Sequence, residues 1–420
     1  MAEMSFGPRV FRQPVAPRNP DPEPDSFLGL GQHLAFLQGC VASRPLSGTP
    51  ANMPIVVDFS DRPSKMLAAT LPDYGPASLL KVSLVDLPKL PLGKLRPTEV
   101  VVEVHSASVN PTDWKQRKGT LSQLCALSLP AVLGIDFSGK VVRAGEEAPL
   151  AEGDEVFGRQ TLDRMRELNG TYAEYVIVDS SDVYKKPPNL SFEEAAAVPH
   201  ASLAAYAALG HVGKLIQKRH KTDKCVLILG GSGGVGTFAV QLAKGHFGCH
   251  VIASCSRKNS MLVKSLGADK VLDYEDADFL NQVPAGTCDV IVDCVGGDDY
   301  WQSFKAGLSK DGVYVTTVGN KRYLADDTNL DYGGILQIKA DYLLRQLGNK
   351  LGVEERYHIL TGSQILASDL PIIASLLDKG SLRVVVDKVF PLTEIQMAHE
   401  LSETHHAVGK IVLQVRAGKE

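Results

Sequence analysis

The chain has few of the features that would assign it early. In 420 residues there is no run of about 18 apolar residues, so no segment reads as a membrane-spanning helix. Neither sign of charge dominates: 44 Lys and Arg stand against 48 Asp and Glu, a net charge of −4. That balance gives no electrostatic case for nucleic acid or an anionic membrane as a partner. Cysteine is sparse and unpatterned. Cys40, Cys125, Cys225, Cys249, Cys255, Cys288 and Cys294 are odd in number and contain no C-x-x-C pair. This argues against a disulfide framework and against a closed cysteine zinc site, and points to reduced, buried thiols in an intracellular protein. Residues 1–64 contain no lysine but ten of the 24 prolines. They read as a Pro-rich extension without a core of its own. Arg9, Arg12 and Arg18 faintly resemble an organelle address. Glu3, Asp21, Glu23 and Asp25 oppose it, so the expectation is a cytoplasmic protein, with an organelle as the alternative. Within the extension, 27–42 fits one amphipathic helix.

From Met66 the text is rich in strands. EVVVEVHSASVN (99–110), SGKVVRAG (138–145), GDEVFG (153–158) and GTYAEYVIV (170–178) are β-branched runs punctuated by turn residues. A helical stretch is expected over 191–213, opened by a Ser191–Glu194 capping box. After Lys224 strands alternate with helices, the pattern of a parallel sheet covered on both faces. Beyond residue 343 the pattern loosens, then gives a helix at DLPIIASLLDKG and strands at LRVVVDKVFPL and GKIVLQV. The reading is α/β: a mainly-β domain (65–198 and 343–420) split in sequence by a doubly wound domain (199–342).

The sharpest local signal is CVLILGGSGGVGTFAVQLAK. Gly231-Ser232-Gly233-Gly234-Val235-Gly236 is a G-x-G-x-x-G between a buried strand and an amphipathic helix. The first glycine allows the turn, the second lets a pyrophosphate approach the backbone, and the third lets helix and strand pack closely. The helix N-terminus then faces the phosphates. At the end of the next strand stand Ser256, Arg257 and Lys258, where an NAD site usually has an acid for the ribose diol. Hydroxyl and cations suit a 2′-phosphate, so the expected cofactor is NADPH. Arg257 and Lys258 also fit a solvated helix start. Tyr274 falls near the adenine side, or equally in a core.

Taken together, SASVNPTDWKQRKG, VLGIDFSGKVV, GDEVFG, GTYAEYV, EEAAAVP, the glycine turn, KSLGADKVLDY, IVDCVGG and GKIVLQV resemble the medium-chain dehydrogenase/reductase superfamily, in its zinc-free quinone-oxidoreductase-like branch. Within it the chain is most similar to the mitochondrial and plastid-envelope oxidoreductase groups. The resemblance implies a GroES-like catalytic domain interrupted by a Rossmann domain, with the site between them. It implies NADPH contacts at Ser232, Gly234, Val235, Ser256 and Tyr274, and strand ends beside the ribose and nicotinamide at Val295, Gly296, Val318 and Gly319. It places Asn110 beside the nicotinamide. The expected reaction cleft is formed by Asn110, Asp113, Trp114 and Val318, with Tyr357 as a further candidate. Lys410 lies in a recurrent C-terminal motif without a clear role. The superfamily's zinc enzymes have a Cys near NPTDW and a His in the GIDFSG segment; here stand Asn110 and Ile135. No metal site is expected. Without a Lewis acid for an alkoxide, the expected acceptor is a quinone or an α,β-unsaturated carbonyl.

Enoyl-thioester reductases of the superfamily place a proton-donating Tyr where this chain has Leu121. Asp113 and Lys115 remain as polar catalytic candidates, Asp113 also fitting a loop-fixing role. Two alternatives stay open: an NADPH-binding scaffold of low activity, and a trans-acting enoyl-thioester reductase. The resemblance also implies a homodimer paired through the Rossmann sheet edge.

Overall fold

Strand Cys225–Leu229 is apolar and buried at all five positions, because both faces of its sheet are covered. Val226 and Ile228 pack into one cluster with the flanking helices, while Cys225, Leu227 and Leu229 pack into another with Trp301, Phe304 and Tyr314. Alternation along a strand sends neighbours to opposite faces, so an uninterrupted apolar run is what a central parallel strand requires. The computed structural model describes residues 64–87, 95–120, 122, 126–167, 170–217, 223–319 and 356–416. The extension expected over 1–64 (Ser64 apart), the 27–42 helix and Leu121 lie outside the described residues.

Six parallel strands form the doubly wound sheet. In spatial order they are Lys270–Asp273, His250–Cys255, Cys225–Leu229, Cys288–Asp293, Leu308–Thr316 and Tyr357–Ile359. Numbered along the chain this is the order 3-2-1-4-5-6, whose direction reverses between the first and fourth strands. Tyr357–Ile359 pairs with Tyr314–Thr316, so the chain leaves this sheet later than the expected boundary at 343. Three-residue strands carry little periodicity, which is why the pattern there read as loose.

A seven-stranded sheet is built on the long strand Glu99–Val109, which pairs with Asp136–Ala144, Tyr175–Asp179 and Lys410–Gln414, all antiparallel. Lys410–Gln414 thus returns from the far end of the chain to the centre of the first domain, and the GroES-like domain is split by the Rossmann domain as expected. A smaller sheet joins Lys81–Asp86, Lys65–Leu71 and Ala131–Val132.

The helical stretch expected over 191–213 is built from three pieces. Phe192–Ala196 is capped by the reciprocal Ser191–Glu194 pair; Pro199 opens a second helix, Pro199–Tyr206; a π-helical turn, Ala207–Val212, closes it. Proline has no N–H to give to a preceding turn, so it starts a helix rather than continuing one. The described cysteines are free: Cys225, Cys249, Cys255 and Cys288 are buried and Cys294 is half-buried. Among the described residues no helix is long and apolar enough to cross a membrane.

Candidate functional site: the glycine turn and the Asp136–Lys410 cluster

The loops that leave the C-terminal ends of the parallel strands carry every candidate nucleotide residue. Gly231–Gly236 follow Leu229, Ser256–Lys258 follow Cys255, and Tyr274 follows Asp273. Val295 and Gly296 follow Asp293, and Val318 and Gly319 follow Thr316. The glycine turn sits at the reversal of strand order, where open α/β sheets bind ligands.

The three motif glycines are needed for different reasons. A methyl at Gly236 would lie 2.1 Å from the carbonyl oxygen of Gly230, so this glycine sets the contact of helix Gly234–Gln241 with its strand. At Gly231 the constraint is the Ala253 methyl at 3.0 Å. Gly233 differs: its φ of −81° suits any residue, and a methyl there would meet nothing nearer than 3.5 Å. The protein does not itself demand glycine at 233. A group bound close against the backbone would. The first-turn amides of the helix it opens have no acceptor within the helix, and they face anions favourably. The cradle therefore fits the diphosphate of a dinucleotide.

The second half of the rim is shaped by backbone caps. Asp293, buried, accepts the N–H groups of Val295 (2.9 Å) and Gly296 (2.8 Å). Burial raises its carboxyl above the ordinary range. Thr316 accepts those of Val318 (3.2 Å) and Gly319 (3.0 Å). The two loops touch, since a methyl on Gly296 would come 2.7 Å from the Val318 side chain.

After the second parallel strand, Ser256 is buried and Lys258 exposed. Arg257 is exposed and its Nε donates to Asp273 at 3.1 Å. Sequence reasoning weighed the absence of an acid after the second strand and missed this one, on the neighbouring strand. It becomes adjacent only through the pairing of Cys255 with Asp273. Tyr274 is half-exposed beside it, not a core residue.

Across from the turn lies a buried charged cluster. Asp136 Oδ2 accepts from Ser108 Oγ (2.9 Å), Asn110 Nδ2 (2.9 Å) and Lys410 Nζ (3.3 Å), while its Oδ1 accepts the backbone N–H of His200 (2.9 Å). Lys410 Nζ also donates to Asn110 Oδ1 (2.6 Å). An ammonium only donates, so the Asn110 oxygen must face Lys410 and its amide must face Asp136. The second N–H of that amide has no partner among the described residues. Desolvation pushes the His200 imidazole down to about 4, keeping it neutral. Asp136 and Lys410 are both buried, an arrangement that is tolerable because each charge is paired and hydrogen-bonded.

Lys410 also touches the nucleotide turn. Gly409 N–H donates to the Ser232 carbonyl at 2.9 Å, and a methyl at Gly234 would meet the Lys410 stem at 3.1 Å. One dipeptide thus contacts the glycine turn with its backbone and stem and the Asn110 side chain with its charge.

The three catalytic candidates separate. Asn110 belongs to the cluster. Asp113 is fully buried; its Oδ2 accepts the Asn110 backbone N–H and the Tyr172 hydroxyl, both at 2.8 Å. Its role in the geometry is to fix the start of helix Pro111–Arg117, and burial raises its carboxyl to about 7. Lys115, two residues on and so about 200° round the helix, lies over the Trp114 ring at 5.5 Å. Trp114 is fully buried, and Tyr357 packs inside the Rossmann domain, stacked on Tyr314 at 5.4 Å and edge-on to Trp301 at 5.2 Å. Tyr357 is therefore no wall of the expected cleft: its strand joins the parallel sheet, and the side chain fills the apolar cluster on one face. The residues that sequence reasoning missed are Asp136, His200 and Tyr172. A lone carboxylate opening the otherwise small and apolar DFSG, and a lysine opening KIVLQ, were the available signals.

Comparison with known proteins agrees with this architecture. A family model described as the alcohol dehydrogenase GroES-like domain matches residues 96–188, and one described as zinc-binding dehydrogenase matches 266–413. Among the described residues no group of three or more His, Cys, Asp or Glu is placed to hold a metal ion. The mouse (Mus musculus) mitochondrial NAD(P)H oxidoreductase RTN4IP1 is 36% identical over 341 residues, 76% of this chain and 82% of its own. The trans-enoyl reductase pgmF of Aspergillus terreus is 31% identical over 366 residues, 84% of this chain and 97% of its own. The solved structure of a quinone oxidoreductase from Coxiella burnetii superposes with a TM-score of 0.66 at 30% identity, covering 84% of this chain and all of that one. The chain belongs to the medium-chain dehydrogenase/reductase superfamily, in its quinone-oxidoreductase-like branch, and is an oxidoreductase built for a nicotinamide nucleotide.

Proposed function

We propose that the protein is an NADPH-dependent, metal-independent reductase that delivers hydride to a quinone or an α,β-unsaturated carbonyl. The observation that carries the reading is the double contact of Gly409–Lys410, which ties the glycine turn to the Asn110 side chain. The turn at Gly231–Gly236 would hold the diphosphate, Ser256, Arg257 and Lys258 the 2′-phosphate, Tyr274 the adenine side, and Val295, Gly296, Val318 and Gly319 the ribose and nicotinamide. When bound, the nicotinamide supplies a hydride at its C4. The chain's part is alignment and charge stabilisation. Lys410 and Asp136 lock the Asn110 amide in one orientation, and its remaining N–H meets the oxygen on which negative charge develops. The similarity of pgmF, named a trans-enoyl reductase, supports a second reading in which a thioester-linked enoyl group is the acceptor. A homodimer paired through the parallel-sheet edge is part of the proposal, checked by light scattering.

The test is steady-state NADPH oxidation with phenanthrenequinone, an alkenal and a crotonyl thioester, beside titrations of NADPH and NADH. Turnover of the first two with tighter NADPH binding supports the proposal. A thioester preference moves the assignment to the second reading. Tight NADPH binding with no turnover of any acceptor makes the protein a nucleotide-binding scaffold.

A further inference from the structure

Next to the nucleotide site, helices Pro111–Arg117 and Ile395–Glu403 meet through polar side chains. Steps of three and four residues bring Asp113, Gln116 and Arg117 to one side of the first helix, continued by Thr120 in the turn after it. All four are buried. The second helix contributes buried His399 and, one turn on, Glu403. A helix face turned inward is ordinarily apolar; this one is polar throughout. Nine buried side-chain atoms here have no hydrogen-bond partner: Asp113 Oδ1, Trp114 Nε1, Gln116 Oε1 and Nε2, Arg117 Nε and Nη1, Thr120 Oγ1, and both His399 nitrogens. Left dry, each such atom would lose its water hydrogen bonds with nothing in exchange. Donors and acceptors are mixed, which suits an amphoteric ligand, and buried water making about three hydrogen bonds apiece satisfies such a set with roughly three molecules.

The assembly has two ends. At one, Arg117 and Lys118 pair with Glu403, whose side chain is 22% exposed and reaches solvent. At the other, the Tyr172 hydroxyl donates to Asp113, which holds the backbone of Asn110. The His399 ring stands edge-on to Tyr172, centroids 5.7 Å apart.

We propose that this interface holds a file of ordered waters that carries protons from bulk solvent at Glu403, past Arg117, His399 and Tyr172, to Asp113 beside the Asn110 pocket. The proposal rests on the reductase reading, because reduction by hydride consumes one proton. A C–H bond of the reduced nicotinamide breaks with both electrons, oxidising it. The acceptor, reduced, forms one new bond to that hydrogen and is left an anion. A proton released from Asp113 into the pocket at Asn110 forms the second bond, and the file returns a proton from solvent to the carboxylate. The groups facing Asp113 agree with exchange near neutrality. Burial raises its carboxyl to about 7, with Asp136 adding to the rise, while the Asn110 N–H, the Tyr172 hydroxyl and Lys410 oppose it. Burial, with the Arg117 charge adding to it, holds His399 down to about 3, a neutral ring able both to donate and to accept.

The experiment uses the full chain with Tyr172→Phe and His399→Leu. A high-resolution crystal structure should show waters on the nine atoms. The infrared carboxyl band assigned by Asp113→Asn should titrate near pH 7 and exchange more slowly with heavy water in both variants. Single-turnover oxidation of bound NADPH by phenanthrenequinone should slow about tenfold above pH 7 with a larger solvent isotope effect, at unchanged NADPH affinity. A dry interface, a single bound ion there, or variants that keep the wild-type exchange rate and pH profile would overturn the proposal. Should His399→Leu not fold, Tyr172→Phe alone decides. Failure of the reductase reading is separate: no acceptor would turn over, while water density and carboxyl exchange would still be read.

Discussion

The glycine turn and the Asp136 cluster meet at Gly409 and Lys410, yet they are built from opposite materials. The turn works through what is missing: no side chain at 231, 233 and 236, and helix amides without internal partners. The cluster works through charge, with a buried carboxylate and a buried ammonium whose ionised forms are bearable only together. The first should therefore fail by losing ligand or by steric collision, the second by leaving a charge unanswered.

The largest expected effect is on the cluster. Lys410→Met strands the Asp136 carboxylate and should lower stability by about 3–5 kcal/mol in urea denaturation. Adding Asp136→Asn should recover a good part of that loss, and a strictly additive double variant would show the pair is not coupled. On the turn, Gly236→Ala pushes a methyl into the Gly230 carbonyl and should cost about 3 kcal/mol. Gly233→Ala should leave the unfolding midpoint almost unmoved and weaken nucleotide binding at least about tenfold, about 1.4 kcal/mol by titration. Gly233→Asp should do the same more severely through charge repulsion. If Gly233→Ala unfolds the protein or leaves affinity unchanged, the two kinds of glycine are not distinct.

A pH series separates the buried acid from the buried base. Asp113 has a folded-state value of about 7 against 3.8, so the native state holds the extra proton between those limits. Its contribution falls as pH rises through that window, by about 1.4 kcal/mol per unit at most. Asp113→Asn should remove that slope. His399 runs the other way: its value is depressed to about 3 from 6.5, so stability is lost as pH falls from 6.5 toward 3, and His399→Leu should blunt the acid transition. The smallest effect belongs to the adenosine end. Arg257→Glu with Lys258→Glu should narrow the NADPH-over-NADH ratio about tenfold, roughly 1.4 kcal/mol. Asp273 already answers part of the Arg257 charge, which limits the change. An unaltered ratio would mean both cations face only water.

The sequence by itself determined the glycine turn, the buried parallel strands and the return of GKIVLQV, because each is written in consecutive residues. Backbone sterics and face-to-face alternation act over a few positions, and their signature survives without neighbours. Short elements such as Tyr357–Ile359 were illegible for the same reason: three residues cannot show a period. Only the tertiary structure joined Asn110, Asp136 and Lys410, which lie 26 and 300 residues apart along the chain. It also set Asp273 against Arg257 and took Tyr357 out of the expected cleft. A charge pair buried between distant strands leaves no periodic trace. Its energy depends on distance and desolvation, and those quantities exist only once the sheets have closed.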